Sequence, residues 1–472
     1  MKPILRAHLA IAIFHFSILN SSASHPFENY YKKWYFGNHS GIDFFNNNSP
    51  VVISSSAMTT YDYGSAICNS AGNMLFYTNG VTVWDSTNSM MSNGNNLSGS
   101  VTGGQTAMIL RINNEDNLYY IFTVPEFASA NGFRYSVVDM GLNGGRGEVV
   151  LKNQLLFAPS SEKIAAVYNQ TDNYYWVISH KWGNNTFAAY KLTTNGLDTI
   201  PVLSSVGHIN QGGTYGNAHD ACGEISISPD GHRIACAYNY SALIELYDFD
   251  INTGVIANPV TLTNVSYIWG VEFSPDSKKL YSAKWTQTEV AQYDLTVNTA
   301  AAIVASKIVV GNVPYSGSYA CGYLELAPDG KIYIAKWNGT SLSEIDSPDS
   351  SGALCGFTNN GFNLSGGVSQ CGLSASPVFP PNTNDVPSIS SYFHNAIFPN
   401  PVTHHFILKI PDGFDNKSLV LRIINISGMM VESKAITERE TIIYRNEMDP
   451  GIYICELIND GKLIAADKLV IE

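Results

Sequence analysis

The stretch Gly223-Glu-Ile-Ser-Ile-Ser-Pro-Asp-Gly231 decides the fold, because it returns as Gly270-Val-Glu-Phe-Ser-Pro-Asp276 and as Gly322-Tyr-Leu-Glu-Leu-Ala-Pro-Asp-Gly330. In each copy a short alternating strand runs into a turn. Proline presets the first turn dihedral, aspartate bonds its own backbone, and glycine tolerates positive φ, so the chain doubles back on itself. A second strand follows each turn, over Arg233 to Tyr238, Lys279 to Trp285 and Lys331 to Trp337. A third ends on Tyr247-Asp248, Tyr293-Asp294 and Ile345-Asp346.

Weaker copies lie upstream. Ala66 to Asp85 turns at Ser70-Ala71-Gly72, Ile109 to Asp139 turns over 113–117, and Ala165 to Leu192 turns over 169–173. The six turns fall roughly 45 to 60 residues apart, the period of a β-propeller blade. Trp34 to Phe45 and Cys355 to Phe379 remain at the two ends and supply a further blade, whose closure would remove the exposed sheet edges. The expectation is an all-β chain, a β-propeller of seven blades over 25–380, six or eight also being compatible with the spacing. The repeats resemble the Ser-Pro-Asp-Gly units of seven-bladed lactonase-like and surface-layer propellers. Trp34-Tyr-Phe-Gly37, Phe76-Tyr-Thr-Asn-Gly80 and Arg134-Tyr-Ser-Val-Val-Asp139 are similar to the N-terminal propeller region of many Bacteroidota surface proteins.

Beyond residue 380 the texture changes. A Pro- and Asn-rich stretch predicts an extended linker over 381–395. Phe406 to Ile410, Leu419 to Ile426, Ala435 to Tyr444 and Ile452 to Ile458 then alternate as strands of a small C-terminal β-sandwich over 396–472. Within it stand Phe398-Pro399-Asn400-Pro401, Ile426-Ser427-Gly428, Gly451-Ile452-Tyr453 and the terminal Lys468-Leu-Val-Ile-Glu472. In that order these motifs resemble the C-terminal sorting domain (type A) of the type IX secretion system of Bacteroidota. Asn425 stands where that family often has aspartate. The resemblance implies that Pro399, Asn400, Pro401, Gly428, Gly451, Tyr453 and Lys468 form the sorting signal. It also implies the secretion machinery as a partner, removal of the domain on export, and a protein at the cell surface or released.

The N-terminus agrees. Lys2 and Arg6 precede an apolar run from Leu9 to Leu19 and the small residues Ser21-Ser22-Ala23, the three-part pattern of a signal peptide over 1–24. The run is shorter than the roughly 20 residues a membrane span needs, and no membrane span is expected elsewhere.

Composition narrows the partners. Only 14% of residues are charged and the formal net charge is -13. That excess of acid argues against nucleic acid or an anionic membrane, both of which need clustered Lys and Arg. Seven cysteines form no zinc-like spacing, so neither a metal nor a cofactor is expected. Cys355 and Cys371 enclose a short Gly-rich loop and make the best disulfide pair. Cys68 and Cys455 sit in apolar strands and read as buried thiols.

Loops leaving each second strand open on one face of a propeller. There the chain places Lys181-Trp182-Gly183-Asn184-Asn185, Lys284-Trp285-Thr286-Gln287 and Lys336-Trp337-Asn338-Gly339 in matching positions. An aromatic face beside a side-chain amide is what sugar recognition uses, so Trp182, Asn184, Trp285, Gln287, Trp337 and Asn338 are the candidate ligand residues. The competing reading wedges each Trp between blades. His219-Asp220 precedes an inner strand on the same face, with His180 nearby. A His with a carboxylate can act as general base, although sequence neighbours in extended backbone point apart. Glu272 and Glu325 share a register three residues before their prolines and would line the channel, where paired carboxylates could serve as acid and base. No motif fixes a nucleophile. The sequence therefore favours an exported binding module for a glycan or surface protein. A lactonase-like hydrolase using Glu272, Glu325 and His219, and an adhesion component, are the alternatives. An aromatic-rich open channel mouth with free Glu272 and Glu325 would favour a ligand or catalysis, and a plugged channel with a flat apolar rim a protein partner.

Overall fold

A computed structural model describes residues 28–472 apart from 46–48, 113–116, 213–218, 264, 298, 317–318, 382–396, 411–418, 426–428, 447 and 460–461. The expected signal peptide over 1–24, nearly all of the linker and Gly428 therefore lie outside the described residues. The chain divides into two compact units, one spanning His25–Asn382 and one containing Thr383–Glu472. Among the described residues, no helix is long and apolar enough to cross a membrane.

Seven antiparallel sheets follow one another between Lys33 and Asn363, which sets the blade count at seven. Blade 1 holds Lys33–Phe36, Ser40–Asp43 and Val51–Val52, and blade 2 opens with Ser65–Cys68. The first strands of blades 3 to 7 are Ala107–Arg111, Ser160–Asn169, Ile225–Ile227, Ile268–Phe273 and Cys321–Leu326. Within each blade consecutive strands pair side by side, and the first strands of blades 2 to 7 touch in sequence around the axis. The repeated turns behave as their chemistry requires. Ser228 Oγ donates to Asp230 at 2.5 Å and Ser274 Oγ to Asp276 at 2.7 Å, which locks the Ser-Pro-Asp reversal before the second strand begins.

Aromatic residues fill the gaps between blades. Trp34 of blade 1 packs edge-on against Tyr333 of blade 7 at 6.1 Å, and Phe187 of blade 4 against Tyr247 of blade 5 at 4.9 Å. Edge-to-face contacts of this kind add to the burial that holds flat sheets against each other.

Closure takes a form that the sequence did not signal. Blade 1 has no first strand of its own. The axial position is taken by the segment from Ser369 to Pro380, which runs along the channel. Tyr323 N donates to Cys371 O at 2.8 Å, Cys371 N to Tyr61 O at 2.7 Å, Gly64 N to Leu373 O at 3.0 Å, and Val378 N to Ala166 O at 2.8 Å. Blades 7, 2 and 4 are thereby tied to one strand. Glycines make its passage possible: a Cβ on Gly322 would lie 1.8 Å from the Cys371 carbonyl oxygen, and one on Gly372 would lie 2.3 Å from Asp62 backbone. Cys355–Phe379 thus divides its work. Phe357–Asn363 is the outer strand of blade 7, and only the residues after it close the ring.

The expected bridge is absent. Cys355 is packed between blades 6 and 7 beside Tyr281 and Ile332, whereas Cys371 lies on the axial strand, and the structure does not join them. Cys68 and Cys455 are buried.

The C-terminal unit has two sheets, one built from Ile397–Phe398, His405–Lys409 and Glu440–Tyr444, the other from Met430–Ile436, Leu419–Asn425, Gly451–Asn459 and Lys462–Ile471. Their inner faces share a core that includes Phe406, Leu421, Ile443, Leu457 and Leu469. The stretch from Ala435 to Tyr444, expected as one strand, breaks at 437–439 and places its halves in different sheets.

Candidate functional site

Antiparallel order puts the loops that leave each second strand, and those that lead into each first strand, on one side of the propeller. This upper face gathers rings. Trp285 is stacked on both sides, by Trp269 at 4.7 Å and by Tyr319 at 4.2 Å. Trp337 points its plane across this stack, 5.9 Å from Trp285 and 5.3 Å from Tyr319, and is itself stacked on Tyr61 at 5.9 Å. Blades 6, 7 and 2 thus contribute to one aromatic patch. Around it Tyr61, Tyr240, Tyr267 and Tyr315 remain 45%, 50%, 51% and 52% exposed. Those four rings have surface to offer a ligand.

The expected ligand residues divide on this geometry. Trp285 has both faces covered by protein rings, so it acts as the pillar of the patch. Trp337 has one face against Tyr61. Trp182 is half-buried, and among the described residues no ring contact joins it to the patch. Each amide is already bonded, two within their own loop and Asn338 to the axial segment. Asn184 accepts from Thr186 N at 2.9 Å, Gln287 accepts from Lys284 Nζ at 2.9 Å, and Asn338 accepts from Gln370 Nε2 at 2.9 Å. Tyr240 stands in the blade 5 loop that matches the tryptophan loops. Tyr61, Tyr267 and Tyr315 were missed because they lie in the loops leading into first strands, at different places in loops of different length.

Glu272 and Glu325 do line the channel, together with Glu224, which register alone did not reveal. Ser226 occupies the Glu272 register in blade 5, and Glu224 stands one alternation above it on the same side of the strand. The three carboxyls bond to neighbouring chain segments. Glu224 accepts from Val271 N at 2.8 Å, Glu272 from Ser226 Oγ at 2.7 Å and Leu326 N at 3.3 Å, and Glu325 from Ser376 Oγ of the axial strand at 3.1 Å. Tyr63 OH donates to Glu224 and lies 3.1 Å from Glu325. Burial pushes the Glu272 carboxyl up to about 7 against the pull of Ser226 and two backbone amides. Burial followed by repulsion from Glu272 holds Glu224 and Glu325 well above the usual carboxylate range. The remaining space beside them, about 40 Å³, is bounded by Gln105, Ser376 and Val378. It has room for a water molecule or two.

His219 stands apart from these carboxyls, with its ring 5.9 Å from Phe127 at the upper face. Its neighbour Asp220 is buried and accepts from Ser241 Oγ at 2.5 Å, with His208 Nε2 3.7 Å away. Ser241 donates to the carboxylate, so no histidine is placed to take its proton. His180 is buried and held down to about 3 by desolvation, with Nδ1 at 2.7 Å from the Lys181 carbonyl. Lys163 is also buried, and its ammonium donates to the carbonyls of Asp220, Ala221 and Cys222 at 2.6 to 2.9 Å. Among the described residues, no three His, Cys, Asp or Glu side chains converge as a metal site.

In the C-terminal unit the expected sorting residues meet across the sheet. Asn400 donates from Nδ2 to Lys468 O at 2.5 Å and accepts from Val470 N at 2.9 Å, so the opening motif clamps the closing strand. Tyr453 OH donates to Asp449 O at 2.9 Å and fixes the turn that precedes Gly451. Residues 396–472 match the family model of the secretion system C-terminal sorting domain. The chain therefore carries a type IX sorting domain and is exported by that system, to the cell surface or into the medium. No curated protein matches the chain. Among solved structures it is similar to a putative 6-phosphogluconolactonase from Bacteroides uniformis, with 10% identity, 87% of this chain and 98% of that one covered, and a TM-score of 0.40. A second such protein, from Bacteroides fragilis, shows 9% identity, 93% and 97% coverage and a TM-score of 0.39. PorZ, a surface component of the type IX secretion system of Porphyromonas gingivalis, shows 9% identity, 92% and 62% coverage and a TM-score of 0.34.

Proposed function

We propose that the protein is a binding module, delivered to the cell exterior by its sorting domain, which holds its ligand on the aromatic upper face of the propeller. The observation that carries this reading is the set of half-exposed rings, Tyr61, Tyr240, Tyr267 and Tyr315, grouped over adjoining blades around the Trp269–Trp285–Tyr319 stack. Large amphipathic rings on a rigid base contribute contact area with little loss of side-chain entropy on binding. The chain itself supports this choice over catalysis in the channel. Its own residues Ser369 to Pro380 fill the axis, and Glu224, Glu272 and Glu325 spend their oxygens on inter-strand bonds.

The test uses the full secreted chain incubated with polysaccharides and with extracted surface proteins, depletion and release of soluble product being read from the same tubes. Depletion without product, lost when Tyr240 and Tyr267 are replaced by alanine at unchanged melting temperature, is the expected result. Product release that persists in those variants and disappears in Glu272→Gln would overturn the reading.

A further inference from the structure

The upper face is unusual in charge as well as in rings. Its described residues lie in 37–39, 53–64, 79–82, 97–106, 124–132, 158–159, 182–185, 206–212, 219–223, 239–242, 263, 265–267, 285–288, 313–316, 319–320, 337–340 and 364–371, and they contain no Lys or Arg. Their only carboxylates are Asp62, Glu126 and Asp220, and the first and last of these are buried. Three lysines end the strands that feed this face; two are turned to their own blades and Lys181 to the outer strand of blade 3. Lys284 is paired with Glu289 at 3.2 Å, Lys336 donates to Asn359 O at 3.0 Å, and Lys181 lies over the Phe157 ring at 5.5 Å. The opposite face differs sharply, because its turns carry Asp172, Asp230, Asp276, Lys278, Asp329 and Lys331.

Resting on the binding-module reading, we infer that the ligand is a neutral polysaccharide and that this face discriminates against carboxylated and sulfated glycans. An anionic chain needs cations to replace its counterions, and these loops supply no Lys or Arg; Arg134, just after the 124–132 loop, spends its guanidinium on the carbonyls of Asn131 and Asn153. A neutral sugar needs rings against its C–H surfaces and groups that exchange hydrogen bonds with hydroxyls. Tyr61, Tyr240, Tyr267 and Tyr315 supply the first. Phenolic hydroxyls and the Asn, Ser and Thr of these loops supply the second.

Two consequences are measurable. Binding to a neutral glycan releases few ions, so affinity stays constant as salt rises, and removing one stacking ring weakens it about tenfold. The experiment presents the full secreted chain to a neutral set (glucan, xylan, mannan, galactan) and to an anionic set (alginate, pectate, a sulfated galactan), from 50 mM to 1 M NaCl, together with extracted surface proteins. Retention on a neutral glycan with less than twofold change across that range, lost in Tyr61→Ala and Tyr267→Ala at unchanged melting temperature, is expected. Preference for the anionic set, or affinity that falls steeply with salt, overturns the ligand class while leaving the aromatic face as the binding site. Retention on protein alone that is lost in the same variants does likewise. Retention that both variants keep intact, or none on any probe, overturns the binding face itself.

Discussion

The channel carboxyls contribute stability that is greatest at acid pH, and Glu272 isolates the effect. Burial raises its carboxyl from the ordinary 4.5 to about 7. Between those values the unfolded chain ionises while the folded chain keeps its proton, so the folded state binds more protons and stability falls as pH rises. The full contribution is present below about 4.5 and gone above about 7. Each pH unit of separation is worth about 1.4 kcal/mol, so Glu272 alone removes about 3 kcal/mol across the window. For a unit the size of His25–Asn382, an unfolding entropy of about 0.75 kcal/mol/K turns this into about 4 °C. The perturbation is Glu272→Gln, followed by thermal unfolding of both proteins from pH 4.5 to 7.5. The glutamine amide faces Leu326 N–H, a donor that Glu272 accepts at 3.3 Å, so the variant starts with a constant handicap. The reasoning concerns slope, which that handicap does not touch. The gap between the two melting temperatures should move by about 4 °C in favour of the glutamine protein as pH rises. Loss of the Glu272 charge also relieves Glu224 and Glu325, which reinforces the same sign. Parallel curves, or a gap that moves in favour of the wild-type protein as pH rises, would refute the argument. The slope of the wild-type curve alone does not decide it, because buried His180, held down to about 3, makes stability rise with pH over part of the same window.

Three further outcomes follow from particular contacts. Deleting Phe398 to Glu472 should leave the protein in the periplasm, as fractionation would reveal, and normal surface display of the truncated chain would contradict the sorting assignment. Asn400→Ala removes both bonds that clamp the terminal strand and should lower export and speed proteolysis of the C-terminal unit, while Asn400→Asp, which keeps the acceptor for Val470 N, should retain more of both. Gly372→Val drives a side chain into Asp62 backbone and should cost about 3 kcal/mol or more of propeller stability by chemical denaturation, overpacking against backbone having no soft route of relief.

What could be read in advance follows the range of the forces involved. Pro-Asp-Gly reversals and alternating strands are decided by residues within a few positions of each other, so six blades were visible, as were several strands of the sorting unit, though not its closing strand Lys462–Ile471. The seventh blade was visible only as a remainder. Its axial strand, Ser369 to Pro380, bonds to Tyr61, Gly64, Ala166 and Tyr323, hundreds of positions away in places, and its own sequence shows no alternation that would mark it as a strand. The Cys355–Cys371 pairing failed for the same reason, since short separation along the chain says nothing when one partner leaves for the axis. The carboxyl site was half legible: Glu272 and Glu325 share a register, but Glu224 required knowing which side of the strand faces the channel.

The two faces explain why the ligand surface was harder still to see than the fold. On the lower face, charge and turn chemistry coincide: Asp230 and Asp276 are there because a carboxylate closes the turn, and the same need repeats in blade after blade. Repetition makes such residues conspicuous and marks them as structural. On the upper face the tryptophans at matching positions drew notice by the same repetition, and Trp285 proves to be enclosed by Trp269 and Tyr319. The matching tryptophans are nonetheless only half-buried, so repetition marks the loops without saying which ring faces protein cover. Of the rings left for a ligand, Tyr240 follows the second strand of blade 5 in the loop that carries tryptophan in blades 4, 6 and 7, whereas Tyr61, Tyr267 and Tyr315 stand in loops that lead into first strands. In a repeat fold, then, the repeat points to the loops, and which of their rings is left for a ligand becomes visible once the ring is closed and the loops stand side by side.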